Sequence, residues 1–231
     1  MDYELREKEL ENIKKYVNKI FFNQMLMDED LVDDLIQDSN FYREVFNDCL
    51  IEGQYDENYI KQSLIMQQIW SVTEGKHTEL FKTIKNTPAK VLINKISSML
   101  DIAEKDPYNY DAVLNAGKIT GILGTSILSE ILHKCYPSIY PIKNKISCFS
   151  MSFILHEDLC YDLIDNLSYS EFVQYSEVIS RAILEYLEEN YIHIDDRYGF
   201  WFTYKLFEGI YNEPEVSEKI KLLSKKNYKW N

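Results

Sequence analysis

The stretch Gly117-Lys118-Ile119-Thr120-Gly121-Ile122-Leu123-Gly124 decides the reading of this chain, because it gathers three of the seven glycines into eight residues. Residues 109–119 before the turn read as one helix. After it, Thr125-Ser126-Ile127-Leu128-Ser129-Glu130-Ile131-Leu132 carries an apolar periodicity that predicts a second helix over 124–135. Glycine reaches backbone angles closed to other residues, so the spacing predicts a sharp hairpin between the two helices. Free N–H groups at the start of the second helix would meet an anion with a favourable dipole, and Lys118 would place a cation beside them. The same residues also fit a plain tight turn between packed helices. Both readings stand on the hairpin alone.

Outward from the hairpin the pattern is helical almost throughout, and the fold class expected is all-α. Leu10, Ile13, Val17, Ile20 and Phe21 mark a helix within 3–26, and Asp28-Glu29-Asp30 offers caps for one bearing Leu31, Val32, Leu35 and Ile36. Helices are expected over about 40–52 and 57–74. Thr87-Pro88 reads as an N-cap followed by proline at the first helical position, with the apolar stripe Val91, Leu92, Ile96, Met99, Leu100, Ile102 and a stop at Asp106-Pro107. Beyond Pro141 the helices expected are 144–155, 169–189, 197–211 and 214–226. No strand-like alternation persists for more than a few residues. The organisation expected is an acidic N-terminal helical region, 1–86, and a helical domain carrying the hairpin, 87–231, the two forming one continuous domain if no boundary intervenes.

Composition excludes several classes. With 45% hydrophobic residues, 14% aromatics, 7 Gly and 5 Pro, the chain is neither disordered nor collagen-like. No apolar run is long enough for a membrane span, and the charged start Met1-Asp2-Tyr3-Glu4 is unlike a signal peptide, so a cytoplasmic location without a membrane partner is expected. Cys49, Cys135, Cys148 and Cys160 lie far apart without a Cys-x-x-Cys pair, which reads as buried free thiols rather than a metal module. The net charge of −13 is unevenly spread: residues 1–60 hold 16 acids and 6 bases, residues 61–150 hold 7 acids and 11 bases, and residues 151–231 hold 15 acids and 8 bases. Only the middle third, which contains the hairpin, is basic enough to favour phosphate.

The run from Gly121 through Tyr136-Pro137-Ser138-Ile139-Tyr140-Pro141-Ile142-Lys143-Asn144-Lys145 resembles the corresponding stretch of the helix-hairpin-helix DNA glycosylase superfamily. The resemblance implies a glycosylase-like helical core and a hairpin that holds the DNA backbone. In that family the helix after the hairpin leads to a Pro-Val-Asp type motif with a catalytic aspartate. Here Pro141, Ile142 and Lys143 stand in its place, with Asn144 next, and Ser126 stands where lyase-type members carry a nucleophilic lysine. Base excision needs a carboxylate or an amine at those positions, so the departures imply a noncatalytic branch. The series Pro137-x-x-Tyr140-Pro141-Ile142-x-Asn144, Tyr169-Ser-Glu-Phe172 and Ile194-Asp195-Asp196-Arg-Tyr-Gly-Phe200-Trp201-Phe202 is similar to helical domains associated with McrB-type restriction ATPases. That likeness covers roughly residues 87–204.

Other chemistry is sparse. No Gly-x-x-x-x-Gly-Lys-Ser/Thr loop is present, and His156-Glu157 lacks a metalloprotease's second histidine. His193-x-Asp195-Asp196 offers metal or acid–base chemistry, although the aspartates immediately precede a predicted helix and read better as caps. Tyr198, Phe200, Trp201, Phe202, Tyr204 and Phe207 fit a core stripe better than a base-stacking surface. The expectation is therefore a nonenzymatic nucleic-acid-binding or adaptor protein linked to restriction or phage defence, with no cofactor and no metal. Its DNA-backbone contacts would come from Lys118, Gly121, Gly124, Thr125, Ser126, Lys143, Asn144 and Lys145. The alternative is an acidic module or mobile-element inhibitor that binds a basic protein partner in a defence or anti-defence complex.

Overall fold

Apolar residues recurring every three or four positions turn one face of most of the helices inward. The computed structural model describes residues 4–22, 77–160 and 166–225, with isolated helical positions at 37, 40, 41 and 44. The helices expected at 28–36 and 57–74 lie outside the described residues, as does Cys49. Among the described residues the regular structure is helical, in nine α-helices. These are α1 (Glu7–Val17), continued by a π-helical turn Asn18–Phe22, then α2 (His77–Asn86), α3 (Ala89–Lys105), α4 (Tyr110–Gly117) and α5 (Thr125–Cys135). They are followed by α6 (Lys145–His156), α7 (Tyr169–Glu189), a 3-10 turn Asp196–Tyr198, α8 (Gly199–Tyr211) and α9 (Pro214–Lys225). Two compact units result: Met1–Leu31 with Pro141–Asn231, and Val32–Tyr140.

In the first unit, α1 packs on α6, α7 and α8. Acids at Glu7 and Glu9 and bases at Lys14 and Lys15 complement its dipole, while Ile13 and Val17 are fully buried. The widened turn at its end carries Ile20 and Phe21 inward side by side. Phe21 meets the edge of Phe202, with ring centroids 5.7 Å apart, and Ile20 lies against α8 at Gly209. A Cβ there would stand 2.6 Å from Ile20 Cδ1, so glycine is what lets these backbones approach. The carbonyls at the end of α6, which lack intrahelical donors, are met from other elements. Asn12 Nδ2 donates to the Ile154 oxygen (3.1 Å) and Arg6 Nη2 to that of Leu155 (3.2 Å). The aromatic stripe of α8 is core: Phe200, Phe202, Tyr204 and Phe207 are buried, and Trp201 and Tyr211 are half-buried.

In the second unit, α3 buries Leu92, Ile96, Met99, Leu100 and Ala103, whereas Val91 of the expected stripe is exposed. The Thr87 hydroxyl does not cap α3. It donates back to the Thr83 oxygen (2.7 Å), closing α2, and Pro88 takes the N-cap position with its carbonyl accepting from Val91 N–H (2.9 Å). The centre of the unit is α5, in which every residue from Ile127 to His133 is buried. Around its C-terminal end four tyrosines meet edge to face: Tyr136 on Tyr140, Tyr140 on Tyr110, and Tyr110 on Tyr108, with centroids 6.1, 5.9 and 6.3 Å apart. Cys135 and Cys148 are buried, Cys160 is half-buried, and none of the three is in a disulfide.

His133 fixes that end of α5. Its Nδ1 lies 2.8 Å from the Tyr140 carbonyl oxygen, an acceptor, so Nδ1 carries the proton. Burial pushes the imidazole down to about 4; the hydrogen bond to the Tyr140 carbonyl favours the charged ring, and the Lys134 charge disfavours it. Between pH 6.5 and 4 the unfolded chain binds a proton at this residue that the folded chain does not, so stability falls as pH falls through this window and levels off below it. The expected loss is on the order of 3 kcal/mol. Depressed carboxylates such as Asp195 and Glu157 act below about pH 5, so urea denaturation at stepped pH between 6.5 and about 5 isolates the histidine. His133→Gln should flatten the slope between pH 6.5 and 4; an unchanged slope in that variant contradicts the assignment.

Candidate nucleic-acid interface

The hairpin joining α4 to α5 forms as a one-bridge antiparallel turn. Ile119 N–H donates to the Leu123 oxygen (3.2 Å), and Ile122 and Leu123 N–H both donate back to Ile119 (2.9 Å each). The chain reverses because Gly121 sits at φ +75, the left-handed region that side chains disfavour. Each glycine of the motif has its own reason. Gly117 is a packing residue: a Cβ on it would come within 2.9 Å of both Leu128 Cδ2 and Met99 Sδ. Gly121 is a conformational one, with open space around it. Gly124 is neither, since it holds an extended φ of −92 that any residue adopts and has nothing within 4 Å of a Cβ position.

Gly124 is the N-cap of α5, and it supplies no capping side chain. Ser, Thr, Asn or Asp there would turn an oxygen onto the N–H groups of the first turn, which have no intrahelical acceptor. Glycine supplies no such oxygen at this exposed position, with half-buried Thr125 and Ser126 beside it. Lys118, Thr120, Gly121 and Gly124 are all exposed, so the apex presents one ammonium group, one hydroxyl and bare backbone. Thr120 was not singled out from the sequence; its position between Lys118 and Gly121 is the only signal that would have done so.

The remaining three expected contacts belong to the other compact unit, and each has an internal role there. Asn144, 4% exposed, is the N-cap of α6: its Oδ1 accepts from Ser147 N–H (3.0 Å) and its Nδ2 donates to Tyr204 Oη (2.9 Å). Asn144 therefore presents no amide group to solvent. The Lys143 ammonium donates to the Leu167 carbonyl. That of Lys145 stands over the Phe149 and Tyr211 rings, 6.0 and 5.9 Å from their centroids. The candidates that share one compact unit are Lys118, Gly121, Gly124, Thr125 and Ser126.

The other sequence candidates resolve simply. Asp195 caps the 3-10 turn, accepting from Arg197 N–H (3.0 Å), and the hydrogen bonds from Arg197 hold its carboxyl down at about 2. His193 is exposed and lies 3.8 Å from Glu188. Among the described residues no group of three or more His, Cys, Asp or Glu is placed to hold a metal ion, and no helix is long and apolar enough to cross a membrane.

The three glycines should separate under alanine substitution. Gly117→Ala overpacks the α3–α4–α5 junction and should cost about 1–3 kcal/mol. Gly121→Ala forces a left-handed alanine and should cost about 1 kcal/mol or more. Gly124→Ala should stay within about 0.5 kcal/mol of wild type, a slightly poorer cap offsetting reduced unfolded-state entropy. Urea denaturation of the three variants gives the ranking, and a large loss at Gly124 would show that the fold itself demands glycine there. The chain matches no protein-family model, no curated protein and no solved structure.

Proposed function

We propose that this protein is a nonenzymatic nucleic-acid-binding or adaptor protein that grips the phosphate backbone through α4, the hairpin and α5, used as a glycosylase-like helix-hairpin-helix. One observation carries the reading: Gly124 leaves the first-turn N–H groups of α5 uncapped at an exposed position where the fold does not require glycine. Uncapped donors at a helix N-terminus suit a phosphate oxygen, and bare backbone allows the close approach such a contact needs. Lys118 adds a point charge. Contacts of this kind carry no base information, so the binding would be nearly indifferent to sequence. The nonenzymatic part rests on Lys143, Asn144 and Ser126 at the positions where the glycosylase resemblance places an acid or an amine. The link to restriction or phage defence rests on the resemblance to McrB-associated domains.

The test is equilibrium binding to duplex DNA. Wild type should bind at 50 mM salt and lose about tenfold in affinity by 200 mM, the loss expected from releasing about two counterions. Gly124→Ala, folded as stably as wild type, should bind several-fold more weakly, and Lys118→Gln should bind more weakly with a shallower salt dependence. Absence of binding at 50 mM salt overturns the proposal and leaves the acidic protein-interaction module as the better reading.

A further inference from the structure

The end of the second unit opposite the hairpin carries a different chemistry. The loop Asp106-Pro107-Tyr108-Asn109 wraps Tyr140, whose hydroxyl donates to the Pro107 oxygen (2.8 Å). This anchors a row of rings that runs from Tyr136 through buried Tyr140 and half-buried Tyr110 to Tyr108. Tyr108, at the end of the row, is 73% exposed. Two exposed carboxylates flank the row, and both have neutral partners: Glu104 accepts from Tyr136 Oη (3.3 Å) and Asp106 accepts from Asn109 Nδ2 (3.2 Å). Elsewhere Glu9, Glu157, Asp158, Asp195 and Glu208 of the first unit, and Glu130 of the second, each stand beside a lysine or arginine of this chain.

The geometry points to a docking surface for an arginine-bearing segment of a partner protein, held by the Tyr108 ring with the Asp106 and Glu104 carboxylates. A tyrosine face attracts a cation, and a planar guanidinium both stacks on a ring and forks onto a carboxylate, which an ammonium does less well. Phosphate is repelled by the same carboxylates, so nucleic acid is the wrong occupant for this end. The row is elongated, with Glu104 at the Tyr136 end and Asp106 beside Tyr108 in the chain, so an extended segment with more than one arginine fits it better than a lone cation does. This surface is independent of the hairpin reading.

The probe is fluorescein-labelled acetyl-(Gly-Arg)4-amide, titrated with the full chain at about 50 mM salt and followed by anisotropy, since screening weakens surface pairs at higher salt. Wild type should bind saturably, and the same peptide with citrulline for arginine should not. Tyr108→Ala and the pair Asp106→Asn with Glu104→Gln should each weaken binding by about fivefold or more, while Tyr108→Phe stays within about twofold. Glu185→Gln with Glu188→Gln removes the same charge from α7 and should change affinity by less than about twofold if binding is local. Gly124→Ala should bind the peptide as wild type does, whatever its effect on DNA. Equal losses from the two carboxylate pairs, full binding by Tyr108→Ala, or no binding by wild type overturns the proposal. Tyr108, Asp106 and Glu104 are exposed, so far-UV circular dichroism should show all these variants folded.

Discussion

A reversal of the chain at one left-handed residue governs the second compact unit. With Gly121 at φ +75 and the Ile119–Leu123 bridge closing the turn, α5 follows α4 without a longer loop, and Tyr136 and Tyr110 both meet the ring of Tyr140. That placement in turn lets α5 bury an unbroken run of seven residues, Ile127 to His133. Each large apolar side chain in such a position contributes roughly 1.5–3 kcal/mol relative to exposure. The exposed, uncapped start of α5 is the other consequence of the same geometry.

The charge of the protein constrains what that start can bind. At a net −13, long-range repulsion opposes any polyanion, and a hairpin bearing a single exposed lysine has little with which to counter it. Backbone N–H donors matter more here because they bring partial positive charge without recruiting another cation, and their effect is short-ranged and insensitive to the net charge elsewhere. At the opposite end of the unit Glu104 and Asp106 have neutral partners among the described residues, beside exposed Tyr108. Taken together, the two proposals would give the unit a phosphate contact at one end and a guanidinium contact at the other.

The helical character and the hairpin were legible in the sequence because both depend on local chemistry: a 3.6-residue apolar period, and glycines where angles or space demand them. The same holds for Asp195 as a cap and for the α8 aromatics as core. What failed to show was anything set by long-range packing. Asn144 sits in a run with Lys143 and Lys145 that looks like a basic surface, yet Ser147 and Tyr204, three and sixty residues on, make it a buried cap. Thr87-Pro88 has the composition of a helix start, but the threonine hydroxyl found a better acceptor in the preceding turn. Nothing in residues 7–22 announces that α1 packs on helices more than a hundred residues away, or that Gly209 is small to admit Ile20. Gly124 shows the reverse: the sequence does not set it apart from Gly117 and Gly121, and only the structure removes both packing and conformation as reasons for it.

The most direct test of the central claim is a glycine-selective 15N spectrum, because the seven glycines report on distinct parts of the molecule. On titration with a short DNA duplex, the amide signals of Gly121 and Gly124 should move together and saturably. Those of Gly199 and Gly209, in the other unit, should hold still, and Gly117, buried beneath the hairpin, should move less than its two neighbours. Shifts at Gly199 and Gly209 with Gly121 and Gly124 unmoved would contradict the account, for the DNA would then be held by a surface other than the hairpin.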